Sequence, residues 1–306
     1  MSKKENEISV SKKKVKVGRS DRVFYTIVYV ITIILTLLVL YPIVFVISAS
    51  FSSSTAVAQG KVWLWPVDFN LAAYKAVINY SDLWLGYRNT IFYVIVGTVI
   101  NVAITLICAY PMARRGLLGR SFLSFFFSFT MLFGGGMVPH YILVKSLGMV
   151  NTVWSILIPG AMSVYNMIVA RTFIQSNIPE ELLEASKIDG CDDFKFFFRM
   201  VLPLSKAIIA VLSLWYAVGH WNSYFSAFLY LTDKNLYPLQ IFLREILVQS
   251  EIDSEVLPIQ EAIQLQNMKM LLKYAVIVVS TVPLYVFYPF VQKYFVKGVM
   301  IGSVKG

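Results

Sequence analysis

Six apolar runs, each too long for the core of a soluble domain, constrain this chain most. They fall near 23–48, 90–113, 121–144, 153–174, 205–231 and 271–296. A helix needs roughly 20 apolar residues to cross about 30 Å of hydrocarbon, so each run has the length of a span. Composition agrees: 58% of residues are hydrophobic and only 14% are charged, against about 25% charged in a soluble domain. Disorder, a disulfide scaffold and a collagen-like fibre are excluded by the same figures. Cys108 lies in an apolar run and Cys191 in a charged segment, so no structural bridge between them is expected. The sequence predicts an all-α membrane protein with six transmembrane helices.

Charge sets the expected orientation. Eight of the 27 basic residues lie in the first 22 positions, directly before the first apolar run, as in a cytoplasmic tail beside anionic headgroups. With the N-terminus inside, nineteen basic residues face the cytoplasm and eight the exterior, which places both termini inside. A net charge of +10 spread this way points to lipid and not to nucleic acid. Ser48-Ala49-Ser50 resembles a signal-cleavage site, but the run before it far exceeds the 7–15 residues of a signal core, so a retained helix is expected. The expected organisation is a basic tail (1–22), a first span with its outer loop (23–89), a five-helix core (90–296) and a short cytoplasmic end (297–306).

Three connections are long enough to carry function. The outer stretch 49–89 holds Trp63-Leu64-Trp65-Pro66, suited to a membrane interface. The outer stretch 232–269 has an amphipathic centre at Leu236 to Val248, and the inner stretch 175–204 is the most polar after the tail.

Chemistry is mostly excluded. No G-x-x-x-x-G-K-[ST] occurs, so ATP is not bound through a phosphate loop of this chain. Gly134-Gly135-Gly136 sits inside an apolar run and reads as a helix break. The spans are nearly free of Asp, Glu, Lys and Arg, and His140 and His220 each stand alone, which disfavours an ion-coupled transporter. The rival class is a membrane transferase holding Mg²⁺ on Asp189, Asp192 and Asp193, but no other inner loop offers a facing carboxylate group. No zinc or nucleophile-elbow pattern is present. Neither a catalytic residue, nor a metal, nor a cofactor is expected.

The inner loop reads as helix, glycine turn, helix. Pro179, Glu180 and Glu181 suit a helix start, and Gly190 suits the turn. A second helix from about Asp192 to Val201 is expected to carry Phe194, Phe197 and Phe198 on one face and Lys195 and Arg199 on another, with Pro203 ending it. Small residues at Ala185 and Ser186 beside an aromatic face suit docking into a partner's groove.

These residues resemble the permeases of binding-protein-dependent ABC importers. The family's loop pattern is Glu-Ala-Ala, three residues, Gly, nine residues, Ile-x-Leu-Pro. Here stand Glu184-Ala185-Ser186, then Gly190, then Met200-Val201-Leu202-Pro203, with Ser186 and Met200 as the two departures. Ile178-Pro179-Glu180-Glu181, Ile188-Asp189-Gly190 and Trp221-Asn222 resemble the sugar-importer branch. The C-terminal Gln292 to Gly298 and Gly302 to Gly306 are similar to the tail of that branch's second, smaller permease. Gly134 to Pro139 with Asn151-Thr152-Val153-Trp154 resembles a subgroup linked to oligosaccharides from complex polysaccharides such as pectin or alginate.

The resemblance implies a type I permease of a bacterial plasma membrane, in which a first span wraps a five-helix core. It implies as partners a second homologous permease, two ATP-binding ABC subunits, an extracellular solute-binding protein and an oligosaccharide. Glu184, Ala185, Ser186, Asp189, Gly190, Leu202 and Pro203 would form the element that couples the permease to the ATPases. A permease of the same architecture for a non-sugar solute is the alternative. For sugar contact, aromatic faces and amide or hydroxyl groups are expected, and Asn101, Asn166, Trp215, Tyr216, Trp221, Asn222 and Tyr224 provide them within or near the spans.

Overall fold

The computed structural model describes residues 18–252, 269–286 and 289. Most of the basic tail, part of the outer stretch 232–269, the end of the sixth apolar run and the C-terminal motifs lie outside the described residues.

Helix α1 (Arg19–Ser50) carries the first apolar run. Its hydroxyls make no demand on neighbours, because Thr26, Thr32 and Thr36 each donate back to a carbonyl four residues earlier at 2.7–2.8 Å. Residues Val23 to Tyr41 are exposed along the helix, the surface expected of a helix standing in lipid. It meets the rest of the chain near its end. There Phe45 sets its ring edge-on to Tyr274 at 5.9 Å, and Ser50 Oγ lies 2.8 Å from the Tyr74 hydroxyl.

A folded turn follows, with α2 (Ser54–Ala58) capped by Ser53 and then α3 (Ala72–Asn79). Trp63 and Trp65 point outward from it. The next helix, α4 (Ser81–Ala113), packs most extensively against the later helices Val164–Asn177, Lys206–Trp221 and Leu239–Ile252. Its glycines permit close approach. A Cβ at Gly86 would come within 2.9 Å of the Leu239 backbone, and one at Gly97 would overlap the His220 ring.

Most of the helices that follow are broken or bent. Helices α5 (Arg120–Leu132) and α6 (Met137–Ser146) meet at 111° across Phe133–Gly136. The short α7 (Trp154–Leu157) is followed by α8 (Val164–Asn177), with Pro159 and Gly160 between them. After α9 (Glu180–Ile188) comes one continuous helical run: α10 (Asp193–Phe196), a π turn (Phe197–Val201) and α11 (Leu202–Leu204). That run meets α12 (Lys206–Trp221) at 79°. Then follow α13 (Phe225–Tyr230), a 3₁₀ turn (Lys234–Leu236), α14 (Leu239–Ile252) and α15 (Lys269–Val286).

Three helices are unbroken and apolar enough to cross a membrane: Ser20–Ser50, Ser81–Ala113 and Lys269–Val286. Counting each bent pair as one span gives five among the described residues. The fourth apolar run, 153–174, differs from the expected single helix. Pro159 lacks the helical N–H and Gly160 has poor helix propensity, so the helix stops at Leu157 and restarts at Val164. A hydropathy scan responds to apolar side chains and is blind to such a break.

The main core joins α4 (Leu106, Ala109, Met112), α8 (Met167, Ala170, Ile174) and α12 (Ile208, Val211, Leu212). Leu183, Phe196 and Val201 belong to the same cluster, so the loop between α8 and α12 is packed onto the ends of the spans.

Candidate functional site: a docked loop and a polar seam

The loop folds as its residues dictate. Pro179 takes an extended conformation before α9, and Glu180 and Glu181 lie in the first turn, where the helix dipole favours negative charge. Lys187 lies in the last turn, beside the negative end. Gly190 has φ +71°, and around it the chain closes a Schellman cap. The Cys191 N–H donates to the Ser186 carbonyl at 2.9 Å and the Gly190 N–H to that of Lys187 at 3.0 Å. Asp192 then caps the next helix, its Oδ1 accepting the Lys195 N–H at 2.6 Å.

One face of α9 is fixed and the other is bare. Leu183 and Ser186 are buried, and Ser186 Oγ donates to the Leu183 carbonyl at 2.7 Å. Glu184, Ala185, Lys187, Asp189 and Gly190 are exposed, and Ile188 is 87% exposed. The expected aromatic face divides. Phe196 and Phe197 turn inward, whereas Phe194 (79% exposed) and Phe198 (61%) turn outward. Phe196 fills the space beside Tyr110, and Phe194 and Phe198, four residues apart, share the opposite face, so the buried side is centred between Phe196 and Phe197. Pro203 does not end the helix. It sits within α11, past the wide turn, and the chain breaks at Ser205; Leu202 is half-buried and Pro203 exposed.

Ion pairs tie this loop to the turn after α4. Arg115 Nε lies 3.3 Å from Glu180 Oε2, and Arg114 Nη2 lies 3.8 Å from Asp193 Oδ1. The Arg114 guanidinium also lies over the rings of Tyr110 (5.5 Å) and Phe196 (5.9 Å). Between α9 and the start of α5 opens a cleft of about 620 Å³, lined by charges of both signs, Arg114, Arg115 and Arg120 facing Glu180, Glu181 and Glu184. The acidic trio does not converge: Asp189 is exposed, Asp192 is spent as a cap and Asp193 faces Arg114. Among the described residues, no three His, Cys, Asp or Glu side chains gather closely enough to hold a metal ion.

The residues singled out for sugar contact fall into two groups. Asn101 and Tyr216 are buried and bonded within the chain. Asn101 Nδ2 donates to the Gly160 carbonyl at 3.0 Å, and Tyr216 shares a 2.7 Å hydrogen bond with Thr105 and accepts the Ser163 N–H at 3.1 Å. Asn166 is buried at the start of α8, and Trp221 is buried against Tyr87 at 6.2 Å. The others are more open. Trp215 lies 5.9 Å from Tyr165, and Tyr224 stacks on Phe228 with Arg244 4.8 Å above its ring. Asn222 is exposed and donates to the Val218 carbonyl at 2.9 Å.

His220, which reads as isolated in the sequence, is not alone. Its Nε2 lies 3.3 Å from Asn101 Oδ1, with its ring against Gly97. The legible signal is the stripe Gly97, Asn101, Thr105, one residue per turn on α4. A second polar set holds the turn before α14. Asn89 Nδ2 donates to the Asn235 and Tyr237 carbonyls at 2.7 and 3.0 Å, and the Tyr93 hydroxyl to that of Leu236 at 2.8 Å.

Comparison with known proteins supplies the identity of this assembly. Residues 101–301 match the family described as "binding-protein-dependent transport system inner membrane component". The chain is 39% identical over 294 residues to the polygalacturonan/rhamnogalacturonan transport system permease protein YtcP of Bacillus subtilis, covering 94% of this chain and 99% of that one. It is 40% identical over 272 residues to protein LplC of the same organism, covering 87% and 89%. Among solved structures it is similar to a crystal structure of a bacterial ABC transporter involved in the import of the acidic polysaccharide alginate. There the TM-score is 0.81 at 34% identity, over 91% of this chain and 98% of that one. The chain belongs to the binding-protein-dependent transport system inner membrane components: it is a multi-pass inner-membrane permease subunit of an ABC transporter, and not an enzyme.

Proposed function

We propose that this permease forms half of the pore of an importer for oligosaccharides released from complex acidic polysaccharides of the pectin or alginate kind. The names of YtcP and of the alginate transporter support the substrate class. In this reading the chain crosses the membrane six times with both termini in the cytoplasm, and the core spans 90–296. It pairs with a second homologous permease, sits on two ATP-binding subunits and receives sugar from an extracellular binding protein.

The observation that carries the mechanism is the loop from Ile178 to Ser205. Its inner side is fixed to α4, α8 and α12 through Leu183, Phe196 and Val201, while Glu184, Ala185, Lys187 and Ile188 face outward. A helix held this way transmits displacement without chemistry of its own. When the ATPases close on ATP, the docked face of α9 moves with them, and the rigid joint passes that motion to the three spans. Ser186 and Leu183 anchor α9, Gly190 and Asp189 form its end, and Leu202 and Pro203 lead into the bend before α12.

The test is uptake by proteoliposomes holding the complete complex and its binding protein. ATP-dependent accumulation of oligogalacturonides or oligoalginates is expected. Accumulation of a peptide or amino acid with no oligosaccharide uptake would overturn the substrate class.

A further inference from the structure

Two helix breaks, one within the bent α5–α6 pair and one between α7 and α8, present irregular backbone at the same place. Between α5 and α6 the chain turns at Phe133–Gly136, where every residue is exposed. Between α7 and α8 it leaves the helix at Pro159 and Gly160. Both breaks line one cavity of about 400 Å³, completed by Phe225, Ser226 and Tyr230 of α13. That volume lies within the range of small-molecule sites, roughly 300–1,000 Å³.

Irregular backbone is costly in hydrocarbon, because nothing there pairs with its N–H and C=O groups. At membrane depth it is tolerated only where protein covers it or where it borders water. The N–H groups of Gly134, Gly135 and Gly136 have no hydrogen-bond partner among the described residues. The opposite wall is held in place. Asn101 donates to the Gly160 carbonyl at 3.0 Å and lies 3.3 Å from His220, so this break is braced from α4 and α12. Tyr230 is fixed by stacking on Tyr141, with centroids 5.9 Å apart and rings within 8° of parallel. The cavity therefore combines free backbone donors, one imidazole (His140), two hydroxyl-bearing residues (Ser226 and the fixed Tyr230) and the exposed ring of Phe225, and no carboxylate lines it. That set suits a pyranose ring, whose many oxygens accept hydrogen bonds and whose C–H face packs on aromatic carbon, and it does not repel a uronate.

We propose that this cavity is a subsite of the translocation pathway that takes one pyranose unit of the oligosaccharide. Gly134 to Gly136, His140 and Ser226 bond its oxygens, and the exposed ring of Phe225 supports the sugar, with Tyr230 closing the floor. The proposal rests on the importer reading above and goes further in placing the sugar on this subunit, outside the residues that composition and spacing singled out.

The test uses the full complex with its binding protein in proteoliposomes. Ser226→Trp fills the cavity, and oligosaccharide uptake is expected to fall by about tenfold or more while all subunits still co-purify. Ser226→Cys, with Cys108 and Cys191 replaced by serine, is expected to react with a membrane-impermeant methanethiosulfonate. Sugar-loaded binding protein with ATP should slow that reaction. Normal uptake by the Ser226→Trp complex overturns the subsite alone. Failure of Ser226→Cys to react, or loss of the second permease from the Ser226→Trp complex, means protein covers the cavity and also overturns it. An unsubstituted complex that moves no oligosaccharide overturns the importer reading, and the subsite with it.

Discussion

Gly190 offers a test in which backbone and side-chain effects separate. Its φ of +71° is a left-handed conformation, which costs an ordinary L-residue about 1–2 kcal/mol. A Cβ there would meet no atom within 4 Å, so within this chain the cost is conformational and not steric. The penalty falls on the Schellman cap that joins α9 to Asp192, and 1–2 kcal/mol shifts the local equilibrium about 5- to 30-fold toward the open form. Asparagine tolerates this region, alanine less well and valine least. Substrate uptake by proteoliposomes, measured at equal complex content, should therefore fall in the order glycine, asparagine, alanine, valine. ATP hydrolysis should fall less than uptake, since the ATPases remain present while the link is loosened. Equal activity across all four would refute the role of the cap. Asparagine failing as badly as valine would point to a space requirement against a partner and contradict the backbone argument.

Other expectations follow from the same geometry. Glu184→Lys reverses a charge on the bare face of α9 and should weaken co-purification of the ATPase while membrane insertion, followed by protease protection, stays intact. Asp192→Asn should retain the helix cap and near-normal uptake, whereas Asp192→Ala should cost about 1 kcal/mol of local stability, visible as faster hydrogen exchange across Asp193–Leu204. Asp193→Asn, which removes the ion pair and leaves the ring contacts of Arg114, should be mild, on the order of 0–1 kcal/mol in thermal stability, because Asp193 is 63% exposed and 3.8 Å from Arg114. Gly97→Val should prevent assembly, since its side chain would overlap the His220 ring; adding His220→Ala should restore part of the assembled complex on size exclusion.

Much of this structure is legible in the sequence, because membrane insertion and helix termination leave compositional marks. The apolar runs place α1, α4 and α15, and Pro179, Gly190 and Asp192 mark the loop's boundaries through their caps. Hydropathy does not reveal where a span bends. The 111° elbow at Gly134–Gly136 is readable as a break, since three glycines interrupt an apolar run, but the gap at Pro159 and Gly160 lies inside a stretch that scans as continuous. The aromatic face of the second loop helix divides, because Phe196 and Phe197 turn to the core while Phe194 and Phe198, four residues apart, turn away from it, and composition does not say which side of an all-aromatic cluster meets protein. Tertiary pairing was the least visible. Nothing local says that Asn101 reaches both Gly160 and His220, residues 59 and 119 positions away. Only the stripe of Gly97, Asn101 and Thr105 hints at a helix face that meets protein and not lipid.

The most direct measurement is native mass spectrometry of the complex purified through this chain in mild detergent. The account predicts one copy of this permease, one copy of a different permease and two ATP-binding subunits, with the exposed face of α9 protected from labelling only when the ATPases are bound. A chain recovered alone, or paired only with itself and lacking an ATP-binding subunit, would contradict it.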